Sequence, residues 1–241
     1  MKRGLTATDL KLIGAAAMLV DHLGYFLLPE LPILRYIGRL AMPVFAFMVA
    51  ESCIHTHNRL AYYLRLLCLG SLCQLFYSLA TGDTLVCVPL SFVLVTPLIF
   101  CRMALEDAVA KKLQTRAVLW SLLLLGMVVL IGVIQSVATI DYGFWGCLVP
   151  LAASLFPGKN RLLRLAPVAL CLLGTGLTMG PWQFYSLTAI PVLYWYNGQL
   201  GHRNHKYFFL YFLPGPFGGD PDGSCSFAKF IEIGLASNTL S

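Results

Sequence analysis

Long apolar segments separated by short polar connections fill most of the chain. A helix needs roughly 17–25 apolar residues to span the hydrocarbon layer of a bilayer. Segments of about this length lie at 10–28, 34–52, 61–80, 84–101, 117–138, 142–157, 163–179 and 182–198, and a ninth begins at Lys206 and soon ends. The pattern predicts an all-α polytopic membrane protein, a bundle of eight or nine transmembrane helices.

Composition agrees with this prediction. Hydrophobic residues make up 58% of the 241 positions and charged residues 12%, with a mean hydropathy of +0.75, whereas a soluble domain has about 25% charged residues. The net charge of +6 comes from Lys and Arg placed between apolar segments, which is typical of topology signals rather than nucleic-acid binding. We therefore expect the lipid bilayer, and not nucleic acid, as the environment of this chain.

Basic residues occupy only every second connection. The connections at 29–33, 81–83, 139–141 and 180–181 contain none, while the others carry Lys2, Arg3, Arg59, Arg65, Arg102, Lys111, Lys112, Arg116, Lys159, Arg161, Arg164, Arg203 and Lys206. This alternation predicts a cytoplasmic N-terminus in a plasma (inner) membrane. Asp21-His22 interrupts the first apolar run, so we expect a retained helix rather than a signal peptide. The polar stretch 102–116 is the only long connection and could form a short amphipathic helix on the inner surface.

Charged groups within the first two apolar segments form the first candidate site. Asp21, His22 and Tyr25 lie in the first segment, and Arg35 and Arg39 project together from the start of the second. A charge at bilayer depth costs at least about 2.5–3.5 kcal/mol. One interpretation is a general base, His22, beside arginines that hold an anionic or carbonyl group. The alternative is an ion pair that joins two helices, with His22 bonded to a backbone carbonyl.

A second polar group follows the second segment. It comprises His55, His57, Asn58, Arg59 and, six residues on, Arg65. A basic turn at the inner face suits phosphate groups, although an ordinary positive-inside connection explains it equally well. No acidic or Cys residue is spaced to complete a metal shell around the two histidines, and the eight cysteines show no paired spacing. We therefore predict no metal site and no disulfide framework.

Further polar positions could line a cavity between the helices. Pro43 lies inside the second segment, and a proline break at membrane depth is tolerated beside such a cavity. Glu51 precedes the basic turn and is expected to neutralise Arg59 or His55. Polar side chains elsewhere could line the same cavity or hydrogen-bond across helices, and these are Gln74, Gln135, Tyr142, Gln183 and Asn197.

Several ordered motifs make the chain resemble the TraX family over residues 9–209. The motifs are Asp21-His22-Leu23-Gly24-Tyr25, Leu34-Arg35-Tyr36-Ile37-Gly38-Arg39-Leu40-Ala41-Met42-Pro43, His55-Thr56-His57-Asn58-Arg59, Asp141-Tyr142-Gly143 and Tyr196-Asn197-Gly198. TraX proteins are multi-pass inner-membrane proteins associated with acetylation of the pilin N-terminus in conjugation systems. Their layout is similar to that of membrane acyltransferases, which use cytosolic acyl-CoA.

The resemblance implies an acetyl-CoA-dependent acyltransferase acting on a pilin, another peptide amine or a cell-envelope acceptor. His22 would be the base, with Asp21 and Arg39 assisting, and direct transfer and an acyl-His22 intermediate both stay open. The acceptor-binding set would be Tyr25, Arg35, Glu51, Gln74 and Tyr142. The CoA set would be His55, His57, Asn58, Arg59 and Arg65, extended by Arg102 and Arg203. A proton-coupled transporter or channel built on the same buried charges is the alternative.

The resemblance ends near Leu210. Three prolines and four glycines between Pro214 and Gly223 cannot continue a spanning helix, whereas family members continue into a last apolar helix. We therefore expect a transmembrane domain at 1–209 and an aberrant polar tail at 210–241. The hypothesis is that this tail is read out of frame and is disordered.

Overall fold

The chain folds into a bundle of helices. The computed structural model describes residues 4–82, 85–158, 160–199 and 201, and the predicted tail lies outside them. In chain order the helices are α1 (Ala7–Phe26), α2 (Pro32–Gly38), α3 (Ala41–His55), α4 (Arg59–Thr81), α5 (Val88–Ala110), α6 (Gln114–Val137), α7 (Gly143–Ser154), α8 (Arg161–Met179), a 3-10 helix (Pro181–Thr188) and α9 (Ala189–Tyr194). Within these ranges the predicted all-α fold is confirmed.

Five helical segments are long and apolar enough to cross a membrane. They are Pro32–His55, Arg59–Leu79, Val88–Ala110, Gln114–Val137 and Arg161–Met179. Helix α1 has 20 residues but carries Asp9, Lys11 and Asp21, and α7 is apolar but has only 12 residues. The described residues therefore support a membrane protein, with fewer clear spans than the eight or nine predicted.

The second predicted segment is two helices rather than one. Helix α2 ends at Gly38, Arg39 and Leu40 form a turn, and α3 starts at Ala41. Pro43 lies in the first turn of α3, where its missing N–H removes no intrahelical bond. The helix break that we predicted at Pro43 therefore lies before Pro43, at Arg39 and Leu40.

Two other predicted boundaries are wrong. The stretch 102–116 is not a separate surface segment, because α5 continues to Ala110 and only three residues join it to α6. Segment 182–198 is not one spanning helix. It contains the 3-10 helix and the six-residue α9, and in the 3-10 helix the hydroxyls of Ser186 and Thr188 donate to carbonyls three residues back. Hydropathy reports the apolar length of a segment but not its hydrogen-bond pattern.

Helix α3 lies at the centre of the bundle. In the most apolar part of Pro32–His55, 67% of the residues are buried. In the corresponding parts of α4 and α6 only 6% are buried, so these two helices lie at the periphery. Phe47 and Val44 of α3 are almost fully buried and belong to one apolar core with residues of α5, α7 and α8. Polar side chains at the two ends of α3 are thus held by a well-packed core.

Candidate functional site

Close approach of α1 and α2 builds the first polar group. A Cβ added to Gly24 would lie 2.8 Å from Cβ of Leu34, and one added to Gly38 would overlap the side chain of Asp21. The carboxylate fits because Gly38 has no side chain. Arg35 Nη1 donates to Asp21 Oδ2 at 2.6 Å. The ion pair between these two helices is therefore present as the sequence suggested.

Arg39 points to a different partner. Its Nη1 donates to the Tyr142 hydroxyl at 3.1 Å, and it interacts electrostatically with the carboxylates of Asp21 and Asp141. Tyr142 has a left-handed backbone (φ 63°), and its N–H donates to Asp141 Oδ1 at 3.0 Å. A non-glycine residue in this region costs about 1–3 kcal/mol and often marks a functional site. We call Asp21, Arg35, Arg39, Asp141 and Tyr142 the Asp21 cluster.

Two buried atoms of the Asp21 cluster have no hydrogen-bond partner among the residues that the structure describes. They are Asp21 Oδ1, an acceptor, and Arg39 Nε, a donor. Buried polar atoms are normally paired, and an unpaired one calls for an explanation. Asp21 Oδ1 could accept from an N–H donor, and Arg39 Nε could donate to an oxygen acceptor.

His22 and Tyr25, on the same helix as Asp21, are both exposed. Tyr25 is 49% exposed, and its ring centre is 5.0 Å from the Arg35 guanidinium carbon. His22 is exposed, with Nδ1 2.7 Å from the carbonyl oxygen of Met18. A carbonyl oxygen only accepts, so Nδ1 carries the proton and the basic lone pair is on Nε2.

Glu51 builds a second polar group at the opposite end of α3. Its side chain is buried, and Oε1 accepts a short hydrogen bond from Arg164 Nη2 while Oε2 accepts from the Tyr196 hydroxyl at 3.0 Å. His55 Nε2 lies 3.5 Å from Oε2, so of the two expected partners His55 is confirmed. The Arg164 guanidinium carbon lies 4.4 Å from the centre of the Phe47 ring. We call Glu51, His55, Arg164 and Tyr196 the Glu51 cluster.

A cavity of about 260 Å³ opens beside the Glu51 cluster. Both Arg161 and Arg164 line it, together with Tyr196, Asn197 and an apolar wall that includes Phe47. We call it the Arg164 cavity. Its lining combines positive charge, hydroxyl and amide groups with an aromatic ring, which suits a phosphorylated ligand with an apolar portion.

The N-terminal segment closes this end of the bundle. Leu5 N donates to Trp195 O at 2.8 Å, and Asn197 N donates to Leu5 O at 2.9 Å. The Asn197 amide also donates to Gly4 O at 3.1 Å. The segment that includes Asn197, part of the cavity wall, is therefore fixed to the start of the chain.

The residues predicted to hold CoA do not form one site. Asn58 caps α4, its Oδ1 accepting from Ala61 N at 2.9 Å, and His57 and Arg65 are exposed. Arg59 lines a different cavity, described below. Arg102 is buried and bonded to Glu106 at 2.6 Å, and Arg203 lies outside the described residues. Of the described residues in the predicted set, only His55 contacts Glu51.

Gln74 has a structural role away from both clusters. Its amide nitrogen donates to Leu85 O at 3.0 Å, and its amide oxygen accepts from Cys87 N at 2.8 Å. These bonds hold the connection between α4 and α5. The predicted acceptor set is therefore divided, with Tyr25, Arg35 and Tyr142 at the Asp21 cluster, Glu51 at the other end and Gln74 apart.

The two clusters lie at opposite ends of one helix. The 15 residues of α3 place them about 20 Å apart. Neither of the two cavities described here is lined by a residue of the Asp21 cluster. These two cavities therefore do not connect the clusters.

Three residues of these clusters were missed by sequence reasoning. Asp141 stood in a motif but was given no role, and Arg164 and Tyr196 are 113 and 145 residues from Glu51 in the chain. Helical spacing reveals neighbours within a helix and is silent on such distant pairs. The available signal for Arg164 was the excess of arginine at the ends of the apolar segments.

Comparison with known proteins gives partial matches to two curated relatives. The chain is 58% identical over 43 residues to the uncharacterized protein RP591 of Rickettsia prowazekii (strain Madrid E), and 36% identical over 77 residues to the probable fimbrial assembly protein FimC, serogroup H1, of Dichelobacter nodosus. These alignments cover 18% and 30% of the chain, and 17% and 32% of the relatives. No solved structure matches the chain.

A family model described as TraX protein matches residues 6–216. That range includes α1 to α9, both polar clusters and the Arg164 cavity. The match covers most of the 241 residues, and the resemblance found in the motifs is confirmed. The chain belongs to the TraX family.

Proposed function

We propose that this chain is a membrane-embedded acyltransferase that transfers acetyl from cytosolic acetyl-CoA to an amine. The acceptor is the N-terminus of a pilin or another peptide, or a cell-envelope molecule, and the membrane is the inner membrane. The observation that carries the proposal is the placement of two polar clusters at the ends of α3, each with a buried member, Tyr142 or Glu51, and one of them beside a cavity lined by two arginines. The fimbrial assembly named for one relative supports a pilin-type acceptor.

Acetyl-CoA would occupy the Arg164 cavity. Arg161 and Arg164 supply the positive charge that phosphate groups require, and guanidinium–phosphate bonds are among the stronger hydrogen bonds in proteins. Glu51 holds the Arg164 guanidinium in place and itself accepts from the Tyr196 hydroxyl. His55, which contacts Glu51, is the one residue of the predicted CoA set that belongs here.

The acceptor amine would bind at the Asp21 cluster. Its nitrogen attacks the acetyl carbonyl carbon, a C–N bond forms, the C–S bond breaks, and the thiolate leaves. His22 Nε2 takes the proton released by the amine and returns it to the thiolate. Arg39 Nε, which has no partner in the resting site, would donate to the oxyanion. Asp21 Oδ1 would accept from the amine.

Transfer over the length of α3 can follow two routes. In one, the extended pantetheine arm brings the thioester to the amine directly. In the other, His22 first takes the acetyl group as acyl-imidazole, which the amine then attacks. Labelled acetyl-CoA supplied without an acceptor separates them, since only the second route leaves label on the protein.

The test uses purified chain in nanodiscs with labelled acetyl-CoA and a peptide bearing a free N-terminus. We expect His22→Ala to abolish transfer and added imidazole to restore part of it, because imidazole replaces the missing base. Leu19→Ala, on the exposed face of the same helix, is the matched control and should transfer normally. Arg161→Gln should raise KM for acetyl-CoA with little change in kcat.

The transporter alternative predicts different results. A protein indifferent to acetyl-CoA that instead takes up solute in response to a pH gradient would contradict the acyltransferase proposal. Unchanged transfer in His22→Ala, with normal elution of the purified variant, would remove His22 from the mechanism while leaving the activity itself standing.

A further inference from the structure

A second cavity, of about 370 Å³, lies at the same end of the bundle as the Glu51 cluster. Three cations line it, Arg59 at the start of α4, Lys111 after α5 and Arg116 at the start of α6, together with one carboxylate, Asp107. Lys111 and Asp107 form an exposed ion pair at 2.8 Å. The two arginines are therefore the excess positive charge. We call this the Arg116 cavity.

A tight helix ending holds these groups together. Leu113 N donates to Ala108 O at 2.9 Å and Lys112 N donates to Val109 O at 3.0 Å, which is the Schellman pattern. Lys112 takes the left-handed position (φ 56°) usually given to glycine. The turn lets α6 start immediately, so Lys111 and Arg116 face the same cavity.

The arginines occupy unfavourable positions for positive charge. Arg59 is the first residue of α4 and Arg116 lies in the first turn of α6, and a helix N-terminus is itself positive. Helix α6 also begins without a side-chain hydrogen bond to its first N–H groups. A bound anion would offset both effects, since anions are stabilised at helix N-termini.

The cavity lies beside an exposed apolar face of α6. Only 6% of the residues in the most apolar part of α6 are buried, and Val118, Leu119 and Leu122 are each at least 60% exposed. Trp120 lies in the cavity wall, and tryptophan is enriched where a membrane meets water. An anionic headgroup in the cavity would place its acyl chains along the exposed face of α6.

We propose that the Arg116 cavity binds the phosphate headgroup of an anionic phospholipid. Basic pockets between transmembrane helices are known to take such headgroups. The Arg116 and Arg164 cavities share no lining residue, so this site is separate from the proposed acetyl-CoA site. The inference is independent of the acyltransferase proposal.

The test measures quenching of Trp120 by brominated lipid. The full chain with Trp145→Phe, Trp182→Phe and Trp195→Phe keeps Trp120 as the sole reporter. It is reconstituted in phosphatidylcholine containing a minor fraction of either brominated phosphatidylglycerol or brominated phosphatidylcholine. We expect the anionic quencher to be much stronger at an equal fraction, and high salt to reduce the difference.

Matched variants assign the effect to the cavity. Arg59→Gln with Arg116→Gln should lose most of the preference, about thirtyfold for two surface cations. Lys11→Gln with Lys112→Gln removes the same charge from exposed positions outside the cavity and should retain it. Arg116→Lys keeps the charge and should also retain it, which shows that a folded protein is being measured.

Three outcomes would overturn the proposal. Equal quenching by the two lipids would show no headgroup selection. A preference that survives the double arginine substitution would place the lipid elsewhere. Relief of quenching by CoA or inorganic pyrophosphate at low salt would assign the cavity to a soluble phosphate ligand instead.

Discussion

At the scale of single residues, the Asp21 cluster depends on a glycine that has no side chain. Gly38 provides the space that the Asp21 carboxylate fills, and the carboxylate in turn binds Arg35. A charge without its partner in an apolar bundle is costly. The absence of one methyl group thus permits the ion pair between α1 and α2.

Replacing Gly38 with alanine should therefore destabilise the protein. The new Cβ overlaps the Asp21 side chain, and such overpacking costs about 1–3 kcal/mol. Thermal unfolding in detergent should show a lower Tm. Gly126→Ala is the control, because a Cβ there meets nothing within 4 Å and alanine favours a helix. An equal or higher Tm for Gly38→Ala would contradict the packing argument.

Asp141 should make stability depend on pH. Burial raises the pKa of its carboxyl above the ordinary 3.8, although Arg39 opposes the shift. A raised pKa means that the folded state holds the proton better, so stability is full below 3.8 and falls as pH rises through the raised value.

Asp141→Asn removes that ionisation and can still accept from Tyr142 N. We expect its Tm to change less than that of the parent chain between acidic and neutral pH, and to be higher than the parent's at neutral pH. Parallel Tm curves for the two proteins would show that Asp141 is ionised at ordinary pH in the folded state.

At the scale of elements, the Glu51 cluster joins α3, α8 and the segment after α9. Arg164 Nε also donates to Ala153 O at 3.2 Å at the end of α7. One guanidinium therefore connects three helices, and its loss should affect the whole end of the bundle.

Arg164→Met should cost about 3–5 kcal/mol of stability, because it leaves Glu51 buried without its cation. Adding Glu51→Gln should recover part of the loss, since the uncompensated charge is then gone. A double-mutant cycle in denaturant measures the coupling. The exposed pair Lys111–Asp107 is the control, and Lys111→Met should change stability by about 1 kcal/mol or less. Additive effects of the Glu51 and Arg164 changes would contradict direct coupling.

The sequence predicted the Asp21 site better than the Glu51 site, for a physical reason. Asp21 and Arg35 lie 14 residues apart on consecutive helices, so adjacent segments were enough to bring them together. Arg164 and Tyr196 reach Glu51 only through packing of α8 and the segment after α9 against α3, and no local spacing encodes that. The turn at Arg39 also separates two arginines that a continuous helix would have placed side by side.

At the scale of the whole molecule, charge is distributed unevenly between the two ends. Among the described residues, Arg35 and Arg39 are the only basic side chains at the Asp21 end, while Arg59, Arg65, Arg102, Lys111, Lys112, Arg116, Arg161 and Arg164 lie at the other end. Hydropathy predicted the helical bundle. The count of eight or nine spans is not confirmed, since five helical segments of the described residues are long and apolar enough to cross a membrane.

From the positive-inside rule we predict that the Glu51 end faces the cytoplasm. Glu30→Cys and His57→Cys put thiols at exposed positions of the two ends. In spheroplasts of an expressing bacterium, a membrane-impermeant maleimide should label Glu30→Cys, and should label His57→Cys only after permeabilisation. The parent chain gives the background from its own cysteines. The reverse labelling pattern would invert the topology.

The pairing of residues 4–7 with residues 195–199 has a consequence for biogenesis. Residues 4–7 take their hydrogen-bond partners from a segment that is synthesised about 190 residues later. At ordinary synthesis rates, roughly ten to forty seconds pass between the synthesis of Leu5 and that of its partners Trp195 and Asn197. A nascent chain lacks that wall of the Arg164 cavity, so whatever fills the cavity meets a complete site only when translation through α9 has ended.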